Sequence, residues 1–256
     1  PCTCSAPMTT RGVTAPLTMA GCLALGNAGQ LAGLVLSQLV REGTPQVPCR
    51  TGGGGLDMRT LVTLYASPEM QGFRGDLAHF YDLPSFGMAG CSDAKLPDEQ
   101  ALAEAALTIL IDGLVGSNLI HDVGYLESGK TGSLEMLAMC DDVIGWVRRF
   151  LSIPATVDAE TLALPVVEQV GPDGNFLETE HTLRHFREEW RPRLMDRQNF
   201  ERWQAAGAKS YRQRARDALE ALLEEEPKPI LQPEQIEAVQ RVLYLAAERA
   251  GVSTGR

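Results

Sequence analysis

"SNLIHDVGYLESGKTGSLEML", Ser117 to Leu137, decides how this chain is read. Within it, Gly124 to Thr131 matches the phosphate-binding pattern G-x-x-x-x-G-K-[ST] in full, after an apolar run and before a helical pattern. Such a loop works because its glycines let backbone N–H groups curl round phosphates at a helix N-terminus. Its Lys and Thr serve the γ-phosphate and Mg²⁺. One reading is therefore a nucleotide-hydrolysing domain, and the other is the strand end of a different α/β fold.

The same local grammar recurs on both sides of this stretch. "TPQVPC" (44–49), "PSFGMAGCS" (84–92) and "SNLIHDV" (117–123) are strand candidates, each bounded by turn residues, and "PCTCSAPM" at the start is a fourth. Helical patterns alternate with them. "AGCLALGNAGQLAGLVLSQLVREG" from Ala20 predicts a buried, small-residue-rich helix closed by Gly43. Ser67-Pro68-Glu69 predicts a helix start, with a cap, an N1 proline and an acid in the first turn, running to about Tyr81. Asp98 caps a helix that ends near Gly113–Gly116, and another follows from Thr131 or Ser133, with Leu134, Leu137, Ile144, Val147 and Leu151 at helical spacing. Strand, loop and helix repeated in this way predict parallel βα units over 1–152. Beyond Pro154 the chain turns charged and helical, so 153–256 is expected to be a mostly helical region packing on the βα part or on a partner.

This context weakens the nucleotide reading. Strand–helix units precede the motif, whereas a phosphate-loop domain usually opens with it. Only "LALPVV" (162–167) follows as an apolar run, and it does not end in the aspartate that would help hold Mg²⁺.

Composition bounds the remainder. The 256 residues are 44% hydrophobic and 22% charged, which is ordinary for a globular protein. A formal net charge of −10 argues against nucleic acid bound through its phosphates. No uninterrupted run of apolar residues suggests a membrane span, and "PCTCSAPMTTRG" lacks the apolar core of a signal peptide. Residue 1 is Pro, so a processed chain or the later part of a longer one is expected. The six cysteines are scattered, and Cys2-x-Cys4 has no second pair at zinc spacing. Buried free thiols in a reducing cytoplasm, with no bound metal, follow as the expectation. His181 and His185 stand at i, i+4 without the Glu of H-E-x-x-H and are read as part of a solvated helix face.

Three stretches, "GVTAPLTMAGCLALGNAGQLAGLVLSQLV" (12–40), "GMAGCSDAKLPDEQ" (87–100) and "NLIHDVGYLESGKTGSLEML" (118–137), together resemble the trimethylamine methyltransferase superfamily. "VGPDGNFLETEHTLRHFREEWRPRLMDRQNFERW" (170–203) resembles that superfamily's C-terminal region. The resemblance implies a parallel (β/α)8 TIM-type barrel, of which this chain supplies about the later half, plus a helical C-terminal region. It implies methyl transfer from a tertiary or quaternary amine, such as a glycine betaine-like compound, to the Co(I) of a separate corrinoid protein. The corrinoid is then carried by that partner and not held tightly by this chain. No non-standard residue is written, so a pyrrolysine-dependent reaction is not expected. The chain is about half the family's usual length. Either an N-terminal half lies outside it, which is the favoured reading, or two chains complement each other in a homo-oligomer. A half barrel acting only as a partner subunit is the non-enzymatic alternative.

In such barrels the active site lies on the loops after the strands. That rule selects Asp93 and Lys95 after strand 84–92, His121, Asp122, Tyr125 and Glu127 after strand 117–123, and Arg50 with the glycine run 52–55 after strand 44–49. Glu127 and Asp93 by charge, and Tyr125 by its ring face, are expected to hold a cation. Arg50 and Lys95 suit a substrate carboxylate, with His121 and Asp122 in the substrate-binding set. Gly53 and Gly54 would let a flat macrocycle come close. The bland readings are a core histidine for His121 and capping for Asp93.

Overall fold

A short strand β1 (Thr3–Ser5) lies parallel to β2 (Gln46–Pro48), with helix α1 (Met19–Val40) between them in the chain. The same unit recurs further on, where β5 (Phe86–Met88) lies parallel to β6 (Leu119–His121) across α3 (Glu99–Val115). Both pairs are joined by helices, as parallel strands require. These assignments come from a computed structural model that describes residues 3–5, 9–48, 53–152, 156–225 and 230–251. Between the two units stand an antiparallel pair, β3 (Leu56–Asp57) with β4 (Val62–Thr63), and helix α2 (Pro68–Phe80). After β6 come β7 (Tyr125–Leu126) and β8 (Thr131–Gly132), antiparallel to each other, and then α4 (Leu134–Leu151).

The sequence punctuation places the helix ends. Pro68 opens α2, with Glu69 in its first turn. Ser67 occupies the cap position, but its hydroxyl donates to Glu69 Oε1 at 2.8 Å and caps no backbone N–H. Asp98 caps α3 by accepting from the Ala101 N–H at 3.1 Å, and Gly116 ends the helix in a left-handed conformation. Ser133 caps α4 by accepting from Met136 N at 3.2 Å.

One expectation about burial is corrected. Helix α1 is not a buried helix: only Cys22, Gly26 and Gln30 are buried, and Leu36, Leu39 and Val40 stand 64–88% exposed. On length and composition α1 could cross a membrane. Its position between two paired parallel strands is that of a crossover helix, and Asn27 on it donates to the Tyr81 hydroxyl at 2.8 Å. On α4 the buried face is Met136, Met139, Cys140 and Val143, whereas Leu134, Leu137 and Leu151 are exposed. Helical spacing marks an apolar stripe but does not say which of two stripes meets the core.

The molecule is α/β and rich in helix, and among the described residues its sheets are two-stranded and form no closed barrel. No ladder joins β2 to β5. Instead Gln46 of β2 and Phe86 and Gly87 of β5 line one cavity of about 60 Å³ beneath α1 and α2. The apolar run 162–167 is helical, shared by α5 (Ala159–Leu162) and α6 (Leu164–Val170).

The core gathers Ala89, Ala94, Ala101, Ala105, Ile109, Leu126, Met136, Met139, Cys140 and Val143, so it lies between α3, α4 and the segments that follow β5 and β6. Beyond α4 come α7 (Glu180–His185), α8 (Phe200–Ala205) and α9 (Tyr211–Glu224). Buried Asp142 of α4 accepts from the N–H groups of Arg193, Leu194 and Met195 at 2.8–3.1 Å, and the Tyr211 hydroxyl donates to the Met139 carbonyl at 2.9 Å. Residues 1–219 form one compact unit and 220–256 another. The second contains α10 (Pro233–Arg249), capped at Gln232. The expected boundary after residue 152 borders 153–155, which lie outside the described residues.

Candidate active site at the strand ends

Backbone hydrogen bonds carry the two loops after β5 and β6 side by side. Gly124 N donates to Gly90 O at 2.8 Å, Ser92 N to Tyr125 O at 2.9 Å, and Glu127 N to Ala94 O at 2.9 Å. The first loop is fixed from behind by Glu104 of α3. Its Oε2 accepts from the Ser92 hydroxyl at 2.7 Å and from Asp93 N at 2.8 Å. The second loop holds strained backbone: Asp122, Glu127 and Ser128 have φ of 70°, 49° and 56°. Left-handed non-glycine residues are costly and cluster where a fixed side-chain direction is needed.

Asp93 is the hub of the cluster. Its carboxylate accepts from Tyr65 N (3.0 Å), Ala66 N (3.2 Å) and the Ser128 hydroxyl (3.1 Å). It therefore ties the segment before α2 to both loops. Tyr65 makes a second link, its hydroxyl donating to Asp122 Oδ2. Asp122 Oδ1 lies 2.7 Å from His121 Nδ1, and the His121 ring stacks on Phe86 at 4.5 Å. Lys95 Nζ donates to the Asp93 carbonyl at 2.8 Å and is otherwise exposed. Tyr125 is exposed and Glu127 half-buried; the Glu127 carboxylate accepts only a long bond, 3.4 Å, from the Thr131 hydroxyl.

Asp93, Lys95, His121, Asp122, Tyr125 and Glu127 are thus on two adjoining loops. Arg50 lies outside the described residues. Gly53 and Gly54 are accounted for without a ligand: a Cβ would fall 2.0 Å from the Thr9 carbonyl at Gly53 and 1.9 Å from the Leu64 carbonyl at Gly54. The close approach they permit is to the chain's own backbone. Tyr65 and Glu104 carried no motif, and nothing in their local sequence separates them from an ordinary aromatic or helical acid.

The phosphate-loop reading fails on geometry. Lys130 and Thr131 do not open a helix; Thr131 pairs with Leu126 in a hairpin, and α4 begins only at Leu134. The N–H groups that would cradle phosphates are used inside the protein, Lys130 N on Glu127 O at 3.1 Å and Ser133 N on Gly124 O at 2.9 Å among them. Among the described residues no group of three or more His, Cys, Asp or Glu side chains could hold a metal. The His181 and His185 rings lie 4.4 Å apart, tilted by 39°, and His185 is held by Glu188 at 2.8 Å, which raises its pKa.

Parallel strand–helix–strand units with polar loops gathered beyond the strands define an α/β chain. The chain belongs to the trimethylamine methyltransferase family, whose model matches residues 1–251. Trimethylamine methyltransferase MttB of Desulfitobacterium hafniense (strain DSM 10664 / DCB-2) is 36% identical over 241 residues, covering 93% of this chain and 48% of that protein. Trimethylamine methyltransferase MttB of Methanosarcina barkeri is 36% identical over 220 residues, 84% of this chain and 44% of its own length. Glycine betaine methyltransferase of Desulfitobacterium hafniense (strain Y51) is 35% identical over 228 residues, 87% of this chain and 47% of its own. The chain spans about half the length of the curated relatives it matches.

Proposed function

We propose that this chain supplies the later strands of a (β/α)8 barrel that moves a methyl group from a methylated amine to the Co(I) of a separate corrinoid protein. The observation that carries the reading is the family match over residues 1–251, with relatives named for trimethylamine and glycine betaine. The two parallel βα units and the polar loops beyond β5 and β6 agree with it. A half barrel also accounts for the exposed apolar residues of α1, because the missing elements would cover part of them.

The corrinoid supplies the cobalt nucleophile that takes the methyl group. This chain's residues need only hold a cation, exclude water and aim one methyl outward. Glu127 suits the cation, because its carboxylate has one weak partner and projects from a strained turn. Tyr125 offers an exposed ring face beside it. Asp93, with its oxygens engaged by three donors, serves by positioning Ser128 and the 65–66 segment. Lys95 suits a carboxylate when the substrate is a betaine.

The test is methyl transfer by the complete enzyme to a reduced corrinoid protein, with trimethylamine and glycine betaine offered separately. Transfer from one of them is expected, and no transfer from any methylated amine would sink the proposal.

A further inference from the structure

Ten Lys and Arg stand against four Asp and Glu between Arg184 and Arg216, in a chain whose net charge is −10. Some of these cations are neutralised by other segments: Arg193 by Asp141, Arg184 by Glu160, and Arg212 and Arg216 by Glu135. Among the described residues no ion pair holds Arg187, Arg191, Arg197 or Arg214. Arg214 donates only to the neutral carbonyls of Leu194 and Lys209. Arg187 and Arg191 lie over the Phe186 ring at 5.1 and 6.0 Å, and Arg197 over Trp190 at 5.5 Å.

Three of these arginines, Arg191, Arg197 and Arg214, line one open groove of about 530 Å³ with Phe186 and Trp190, outnumbering its two acids, Glu189 and Asp196. Trp190 is stacked almost parallel on Trp146, 6.1 Å away, and Trp146 is 53% exposed. Arginine and half-exposed aromatic rings sharing a concave surface are the residue types that dominate binding at protein interfaces. Guanidinium groups resting on rings can still turn N–H donors to carboxylates, although Arg197 spends one on the Trp190 carbonyl at 3.3 Å.

We propose that this groove is a docking surface for a carboxylate-rich segment of a partner protein. Charge complementarity favours that occupant. Carboxylates can meet the three uncompensated guanidinium groups of the groove one at a time, whereas a long polyphosphate would also meet the acidic remainder of the chain. The assignment is independent of the methyl-transfer reading.

The test uses the full 256-residue chain and a fluorescein-labelled octaglutamate peptide, followed by anisotropy. Saturable binding is expected at about 20 mM salt, weakening about tenfold or more at about 300 mM. Arg191→Glu with Arg197→Glu should remove it, Arg191→Lys with Arg197→Lys should largely keep it, and Arg241→Glu on α10 should leave it unchanged. Arg187→Glu alone should weaken it, which covers the case of a double variant that fails to fold. No saturable binding at low salt, equal binding by the reversed-charge variants, or tighter binding of a single-stranded oligonucleotide than of the peptide would overturn the proposal.

Discussion

Asp93 and Glu127 are both loop acids beyond a strand, and their surroundings separate them. Asp93 is saturated by two backbone N–H groups and a hydroxyl, while Glu127 is nearly unpartnered. A strand-end rule finds both but cannot rank them, because the donors on Asp93 come from Tyr65, Ala66 and Ser128, far apart in the chain. Tyr65 went unread for the same reason: its link to Asp122 spans 57 residues. Cysteine chemistry was more legible. Cys22, Cys91 and Cys140 are buried, Cys22 and Cys140 as free thiols, and burial pushes the Cys140 thiol up to about 12. In the native chain, iodoacetamide followed by mass spectrometry should leave Cys140 unmodified, because its thiolate is both scarce and shielded. Glu135 offers a pH test. The Arg212 hydrogen bond first, with Arg216 beside it, holds its carboxyl below the usual range. Its stabilising effect is present above the unfolded carboxyl pKa and is lost as pH falls through the depressed folded value. Glu135→Gln should therefore cost about 1 kcal/mol at pH 7 in urea unfolding, and the gap to wild type should close in acid.

Helix ends were the most legible elements, because a cap is a local event. Asp98, Ser133 and the Pro68-Glu69 pair lie where the sequence places them. The buried face of α4 and the exposure of α1 were not legible, since both depend on which neighbours are present. Parallel pairing was anticipated from alternation alone, yet the seam between β2 and β5 has no signature in residues that merely favour strands. The attachment of the C-terminal region to α4 depends on Asp142, which is buried and accepts three N–H groups from 193–195. Asp142→Ala would strand those donors and is expected to cost about 3–5 kcal/mol. Thermal unfolding should show it as a large fall in Tm. A fall no greater than that of a surface substitution would mean that this carboxylate does not fasten the region.

For the whole molecule, the exposed apolar residues of α1 agree with the proposed barrel, in which further elements would pack against them. The loop from Gly124 to Thr131 is proposed as part of a methyl-transfer site and not as a nucleotide cradle. Its two readings assign importance to different residues, which makes them separable in one experiment. Methyl-cobalt formation on the corrinoid protein can be followed by absorbance in the complete enzyme, with Glu127→Gln and Lys130→Ala compared side by side. Glu127→Gln is expected to lose about 100-fold in kcat/KM, the size of one electrostatic contact at the reacting centre, and Lys130→Ala to change little. Unchanged kcat/KM in Glu127→Gln, with activity lost in Lys130→Ala, would contradict it.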